Sequence, residues 1–251
     1  TYMVWARNAQ GTLPSAVDIY VDKPLAAAPG KFDMTGSGIS VYGRESHAMP
    51  NSTKVSGAFL IKIPSLADST YLMNFTKVIG ESSLSVNINT GGRIRFVGYN
   101  SAGTLVINAT SAAGVTVPTN TWTWVLFSID LATPAAQVYI NDTATTLSTA
   151  TFTSSLNFTD MSPRFLASRE PQLYDNGLQV VKGGVGPILV FPDYVDWSNA
   201  ANRRTLFDVS GNPAVRTPFS DVGGKAPFFD TSSGLGGFLW GTSDPDDPQT
   251  L

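Results

Sequence analysis

The sequence predicts an all-β chain, a two-sheet antiparallel β-sandwich (a jelly roll) with one short C-terminal helix. Three observations carry that expectation. Short apolar segments recur at close intervals, each set off from the next by Gly, Asn, Ser or Pro. One of them, Trp122–Ile129 (WTWVLFSI), is apolar on both faces, which suits a strand in the middle of a sandwich. A convincing helix start and stop occur together once, between Asp196 and Gly211. With 251 residues, 42% of them hydrophobic, the chain is long enough for one large β domain with a sizeable core.

Residues 1–30 read as an N-terminal strand, Val17–Val21, and a connector, Leu25–Gly30. Residues 31–213 form the sandwich. Residues 214–251 form a C-terminal wrap with short edge strands, packed on the sandwich and ending in an acidic, frayed segment. Within the sandwich, strands are expected at Ile39–Tyr42, Val55–Ile63, Tyr71–Ile79, Leu84–Ile88, Arg93–Tyr99 and Thr104–Asn108. Arg44 to Pro50 reads as a loop. Asn89-Thr90-Gly91-Gly92 and Asn100-Ser101-Ala102-Gly103 supply hairpin loops, because Asn and Gly tolerate the positive φ that tight turns require. After Trp122–Ile129 come Gln137–Ile140, a turn at Asn141-Asp142, and Ser/Thr-rich strand and loop through Thr159. Arg164–Ala167, Leu178–Val181 and Pro187–Phe191 follow. Asp196 or Ser198 then caps a helix through Asn199–Phe207, and Gly211 follows its end. Trp122, Trp124, Phe59, Phe127 and Phe191 are assigned to packing. Trp197 and Trp240 are expected to pin the helix start and the C-terminal wrap to the sandwich.

Composition removes several classes of chemistry. Charged residues make up 14% of the chain, whereas Ser (25) and Thr (26) together make up about a fifth. Lys+Arg of 16 against Asp+Glu of 19 leaves a net charge of -3, so no basic footprint for nucleic acid is expected. Cysteine is absent, which excludes disulfides, Cys-zinc sites and thiol nucleophiles. His47 is the one histidine, so a Ser–His–Asp triad would have to use it. The longest uncharged run, residues 96–129, is studded with Asn, Thr, Ser, Gly and Pro, and membrane insertion is not expected. Five N-x-[Ser/Thr] triplets open at Asn51, Asn74, Asn108, Asn141 and Asn157. The Thr-rich composition accounts for them without a glycosylating pathway.

Four stretches, taken in order, resemble the concanavalin A-like lectin/glucanase superfamily in its laminin-G-like branch. They are Val55–Ile63, Asn120-Thr121-Trp122-Thr123-Trp124-Val125, Val138-Tyr139-Ile140-Asn141-Asp142, and Gly186-Pro187-Ile188-Leu189-Val190-Phe191. A further run is similar to a pattern in tailed-phage structural proteins that carry this fold. It comprises Tyr194-Val195-Asp196-Trp197-Ser198, Ala201-Asn202-Arg203-Arg204-Thr205-Leu206-Phe207, and Gly211-Asn212-Pro213. Gly223–Phe229 and Gly234–Phe238 resemble their tails. The "Leu-Gly-x-Asp-Gly" that follows in those proteins is replaced by Thr217-Pro218-Phe219-Ser220. The resemblance implies a component of the virion surface (tail, fibre or head). Its expected partners are other virion proteins, further copies of itself and a host-surface glycan.

Catalytic residues are not expected. Glucanases of this fold carry Glu-x-Asp-x-Glu on one strand, and here only Glu45, Glu81 and Glu170 exist, far apart. Glycan-binding sandwiches stack sugar rings on exposed aromatics beside amide or carboxylate groups. Tyr99 with Asn100, and Tyr174 with Asp175 and Asn176, are the ligand-binding candidates. The resemblance allows Ca²⁺ as a cofactor, with Asp142, Asp193 and Asp196 as candidate ligands beside Asp175 and Asn176. The expected function is non-enzymatic adhesion to polysaccharide, and the low-charge, hydroxyl-rich surface suits neutral glycans. A purely structural virion protein, and a bacterial extracellular carbohydrate-binding module or polysaccharide lyase, are the alternatives.

Overall fold

The computed structural model describes residues 4–5, 20–21, 32–33, 42–44, 52–67, 69–76, 83–100, 102–152, 162–165, 184–214, 221–230 and 239–241. In chain order these form β1 (Val4–Trp5), β2 (Tyr20–Val21), β3 (Phe32–Asp33), β4 (Tyr42–Arg44), β5 (Lys54–Lys62) and β6 (Thr70–Thr76). Next come β7 (Ser83–Ile88), β8 (Ile94–Tyr99), β9 (Leu105–Ser111), β10 (Thr123–Asp130), β11 (Ala135–Ile140) and β12 (Thr143–Thr145). The series ends with β13 (Leu147–Phe152), β14 (Ser162–Phe165), β15 (Gly184–Phe191), α1 (Ala200–Arg204), β16 (Phe229–Asp230) and β17 (Leu239–Gly241).

Apart from the β1–β2 ribbon, the strands make two antiparallel sheets, as a jelly roll requires. One has seven strands in the order β12-β11-β10-β5-β15-β16, with β3 also pairing β15. The other has eight, in the order β13-β9-β8-β7-β6-β14-β4-β17. Thr146 alone separates β12 in the first sheet from β13 in the second, so the chain steps across the sandwich in one residue. Among the described residues, no helix is long and apolar enough to cross a membrane.

The core follows from strand alternation. Val55, Phe59 and Ile61 of β5, Val125, Phe127 and Ile129 of β10, and Ile188 and Val190 of β15 point between the sheets. They meet Leu84, Val86, Ile94, Phe96 and Val106 of the eight-stranded sheet. The opposite faces of the same three strands are apolar too. Ala58, Leu60, Trp124, Leu126, Leu189 and Phe191 pack under Val195, Trp197, Leu206, Phe207 and Val222. The segment after β15 is therefore a third layer over the seven-stranded sheet.

Polar anchors place that layer. The Trp197 indole donates to Phe127 O at 2.8 Å, and the Trp124 indole donates to Gly211 O at 3.1 Å and stacks on Phe207. Ser56 and Ser128 face each other across β5 and β10 with hydroxyls 2.7 Å apart. Ser56 donates to Asp193 O and accepts from Val195 N, while Ser128 donates to Val195 O. Arg203 is buried, and its Nε donates to Asp142 Oδ1 at 2.8 Å. Its Nη1 reaches Trp197 O and Ser198 O, and its guanidinium lies 4.8 Å from the Tyr139 ring centroid. Arg204 takes the second Asp142 oxygen. The Asn141-Asp142 turn thus grips both arginines of the helix.

The helix differs from expectation at both ends. Asn199 is its N-cap, accepting from Ala201 N at 2.9 Å, and the regular turn ends at Arg204. Asp196 Oδ1 instead takes the backbone N–H and hydroxyl of Ser198, closing a turn one step earlier. Arg44, expected in a loop, ends β4 and pairs with β14 and β17. Strand β9 runs on to Ser111, past the expected end at Asn108. Leu178–Val181 and His47 lie outside the described residues. Trp122–Ile129 is borne out as a central strand: β10 is buried along its whole length between β5 and β11.

Both expected hairpin loops form, with one design. The side-chain Oδ1 of Asn89 accepts from Gly91 N and Arg93 N, and that of Asn100 accepts from Ala102 N and Thr104 N. Gly92 and Gly103 stand at φ 72 and 73. This left-handed position costs an L-residue about 1–2 kcal/mol. Gly103 has open space where a Cβ would go, whereas at Gly92 a Cβ would lie 2.9 Å from Val117 O. Gly103→Ala is expected to lower unfolding free energy by about 1 kcal/mol in urea titration, and Gly92→Ala by clearly more.

Acid stability tests the Asp142 grip. The hydrogen bond from Arg204 holds the Asp142 carboxyl below its usual 3.8; partial burial works against this, and the bond from Arg203 adds to it. Stability from a depressed carboxylate is present above pH 3.8 and lost as pH falls through the lower folded-state value. Asp142→Asn should melt below wild type at neutral pH in circular dichroism. That gap should close as the pH is taken below 3.8, where wild type loses the same charge.

Candidate functional site

Among the described residues, the outward positions of β7, β8 and β9 in the eight-stranded sheet are mostly polar, while the third layer covers much of the outer face of the other sheet. Strand alternation decides which residues it carries. Leu84, Val86 and Ile88 of β7 face the core, so Ser83, Ser85 and Asn87 face outward. On β8, Ile94 and Phe96 face inward, and Arg95, Val97 and Tyr99 outward. Asn108 and Thr110 of β9 are outward by pairing with Val97 and Arg95.

Register aligns these side chains into rows across the strands. One row runs Tyr71, Asn87, Arg95, Thr110 and Ser148. Beside it runs a second: Asn74, Ser85, Val97, Asn108 and Thr151. Neighbouring positions in a row stand about 4.8 Å apart, so five strands span about 19 Å. Arg95, Asn108 and Tyr99 are exposed, Tyr99 at 41%. Asn74 and Asn87 are recessed, at 7% and 3%. Hydroxyls, amides, a guanidinium and tyrosine rings thus share one surface. That surface can hydrogen-bond and stack against a polyhydroxylated chain.

The candidates named from sequence fall in different places. Tyr99 lies at the end of β8 on this outer face. Asn100 follows it, with its side-chain oxygen engaged in building the loop. Tyr174, Asp175 and Asn176 lie outside the described residues. Tyr71, Asn74, Asn87, Arg95 and Asn108 were missed as site residues, because strand pairing rather than sequence proximity brings them together. The one trace in the sequence is Ser83-x-Ser85-x-Asn87, polar residues at every second position.

The three candidate Ca²⁺ aspartates each have protein partners in this structure. Each Asp142 oxygen is taken by an arginine. Asp196 Oδ1 accepts from the Ser198 hydroxyl, the Gln137 amide and Ser198 N, bonds that hold its carboxyl below the usual value. Asp193 faces Lys225, with 3.6 Å between Oδ1 and Nζ. No group of three His, Cys, Asp or Glu converges among the described residues. Two of the glycosylation triplets have structural duties: Asn74 is recessed within β6, and Asn141 Oδ1 accepts from Trp124 N.

No protein-family model matches the sequence, and no curated protein matches it in sequence. Solved structures do match in three dimensions. The native heptameric SAP-like pentraxin of Limulus polyphemus superposes with a TM-score of 0.52 at 10% identity, covering 85% of this chain and 94% of that one. The CBM40 of the Ruminococcus gnavus IT-sialidase gives 0.44 at 11% identity, over 62% of this chain and 94% of that one. The LG1-3 region of the laminin α2 chain gives 0.47 at 13% identity, over 78% and 36%. The pentraxin likeness, together with the two antiparallel sheets, shows a jelly-roll β-sandwich.

Proposed function

We propose that this chain is a non-enzymatic, lectin-like sandwich that adheres to polysaccharide through the outer face of its eight-stranded sheet. The single observation behind the reading is that face: rows of Asn, Ser, Thr and Tyr on rigid strands, left outside a sandwich whose other sheet is covered by the third layer. A flat set of hydrogen-bonding groups gives modest affinity per copy. Several linked copies raise avidity by orders of magnitude. The resemblance of residues 194–213 to tailed-phage structural proteins supports display on a virion, although the described residues of that run are already employed in packing the third layer. The fold serves a bacterial extracellular carbohydrate-binding module equally well.

A glycan array probed with an oligomeric form of the chain tests the reading, and absence of binding to every surface polysaccharide would sink it. Degradation of a polysaccharide by the purified protein, abolished by His47→Ala, would overturn the non-enzymatic assignment. Tyr99→Ala should weaken glycan binding several-fold and leave the melting temperature unchanged, since the ring is exposed. Asn100→Ala should cost about 1 kcal/mol of stability, because its oxygen builds the loop.

A further inference from the structure

Two amides on the outer face of the eight-stranded sheet are recessed in it. Asn74 of β6 and Asn87 of β7 occupy outward positions, yet they are 7% and 3% exposed. Among the described residues, neither side-chain amide has a hydrogen-bond partner. A buried amide left unbonded forfeits its hydration without recompense, so such groups are rare in folded proteins. An irregularity in β6 puts Asn74 there. Tyr71 stands opposite Asn87 and Asn74 opposite Ser85, a step of three residues against two, and both Leu72 and Met73 within that step are buried in the core. This is a β-bulge, and a bulge re-aims the side chains that flank it.

Asn74 and Asn87 are diagonal neighbours on adjacent antiparallel strands, about 7–8 Å apart. That separation admits one small planar group with a hydrogen bond of about 2.9 Å on each side. Ser85, directly opposite Asn74, turns its hydroxyl to Val97 O at 3.3 Å. Val97 of β8 stands opposite Ser85 and is the one aliphatic side chain in the two outward rows. It is half-buried, and two residues further along the same strand face comes Tyr99, 41% exposed. One patch therefore holds a stacking ring, an aliphatic side chain and two recessed amides. An acetamido group carries the complement: an N–H and a C=O pointing in opposite directions from one plane, and a methyl. A sugar hydroxyl offers neither the planar pair nor the methyl.

We infer that this face selects polysaccharides built from N-acetylated sugars, with the acetamido group seated between Asn74 and Asn87, its methyl on Val97 and the sugar ring on Tyr99. This rests on the polysaccharide reading above and names its substrate class. Selectivity follows from the recess. A ligand without the acetamido group leaves the buried amides unbonded, and a site built on polar groups discriminates strongly against a ligand that cannot pair them.

Binding of the full chain should be measured by calorimetry and saturation-transfer difference NMR. Chitohexaose and cellohexaose make one pair of ligands, with the same backbone but an acetamido group against a hydroxyl on each ring. An N-acetylgalactosamine oligomer and its galactose counterpart make the other. In at least one pair the acetylated member should bind about tenfold tighter, with its acetyl methyl the most saturated ligand group. Asn87→Ala should weaken acetylated-ligand binding about tenfold and leave the non-acetylated member unchanged. Its melting temperature should hold, because no described residue bonds that amide. A lowered melting temperature with the preference intact would make Asn87 a structural residue and overturn the seat. Val97→Thr, which keeps the side-chain shape, should reduce saturation of the acetyl methyl. Equal binding within both pairs overturns the acetamido assignment and leaves the polysaccharide reading standing. A preference that survives both Asn87→Ala and Val97→Thr overturns the location. Binding to none of these oligosaccharides, with another ligand found on the glycan array, overturns this inference alone; an empty array as well overturns both.

Discussion

Strands β5, β10 and β15 are apolar on both faces, and a sheet of that kind has to be covered twice. The eight-stranded sheet supplies one cover through Leu84, Val86 and Phe96. The chain supplies the other by turning back after Phe191 and laying Trp197, Leu206 and Phe207 over Trp124 and Phe191. Burying two indoles leaves two N–H donors to be matched, and backbone carbonyls at Phe127 and Gly211 take them. The buried hydroxyls of Ser56 and Ser128 do the same for backbone groups of residues 193 and 195. A third layer that brought only apolar side chains would have left those groups unpaired, a cost of about 1–3 kcal/mol each.

Double cover also divides labour between the sheets. With the third layer lying over the seven-stranded sheet, the large polar strand face lies on the eight-stranded one. The acids accompany the helix and its turns, where Asp142 holds Arg203 and Arg204 and Asp196 closes a turn. Carboxylates are thus used to fasten the third layer.

Much of the sandwich was legible because local chemistry dictates it. WTWVLFSI can only be a doubly buried strand, and an Asn three residues before a Gly can close its own loop whatever surrounds it. The helix cap was harder: Asp196, Ser198 and Asn199 are all competent caps, and the choice falls to Asn199 because Asp196 is drawn to Ser198 and to Gln137 of β11. Tyr99 was found because it ends a strand beside a turn. Asn74, Asn87 and Arg95 were not, because nothing in the one-dimensional pattern says which of their positions on β6, β7 and β8 stand opposite one another. Row partners are a property of register, and register is set by long-range core packing.

The edge of the eight-stranded sheet has an unusual history built into it. Its neighbours β14, β4 and β17 come from the middle, the beginning and the end of the chain. The β6–β9 meander and the β10–β12 meander can form from local contacts, but this edge closes only after distant segments meet. Contacts of such sequence separation are slow to form, and they come late as a chain emerges during synthesis. A ribosome-bound chain that still lacks Leu239–Gly241 cannot pair β17 with β4 at all. The corner where residues 44 and 164 meet is therefore among the last parts of the sheet to be finished.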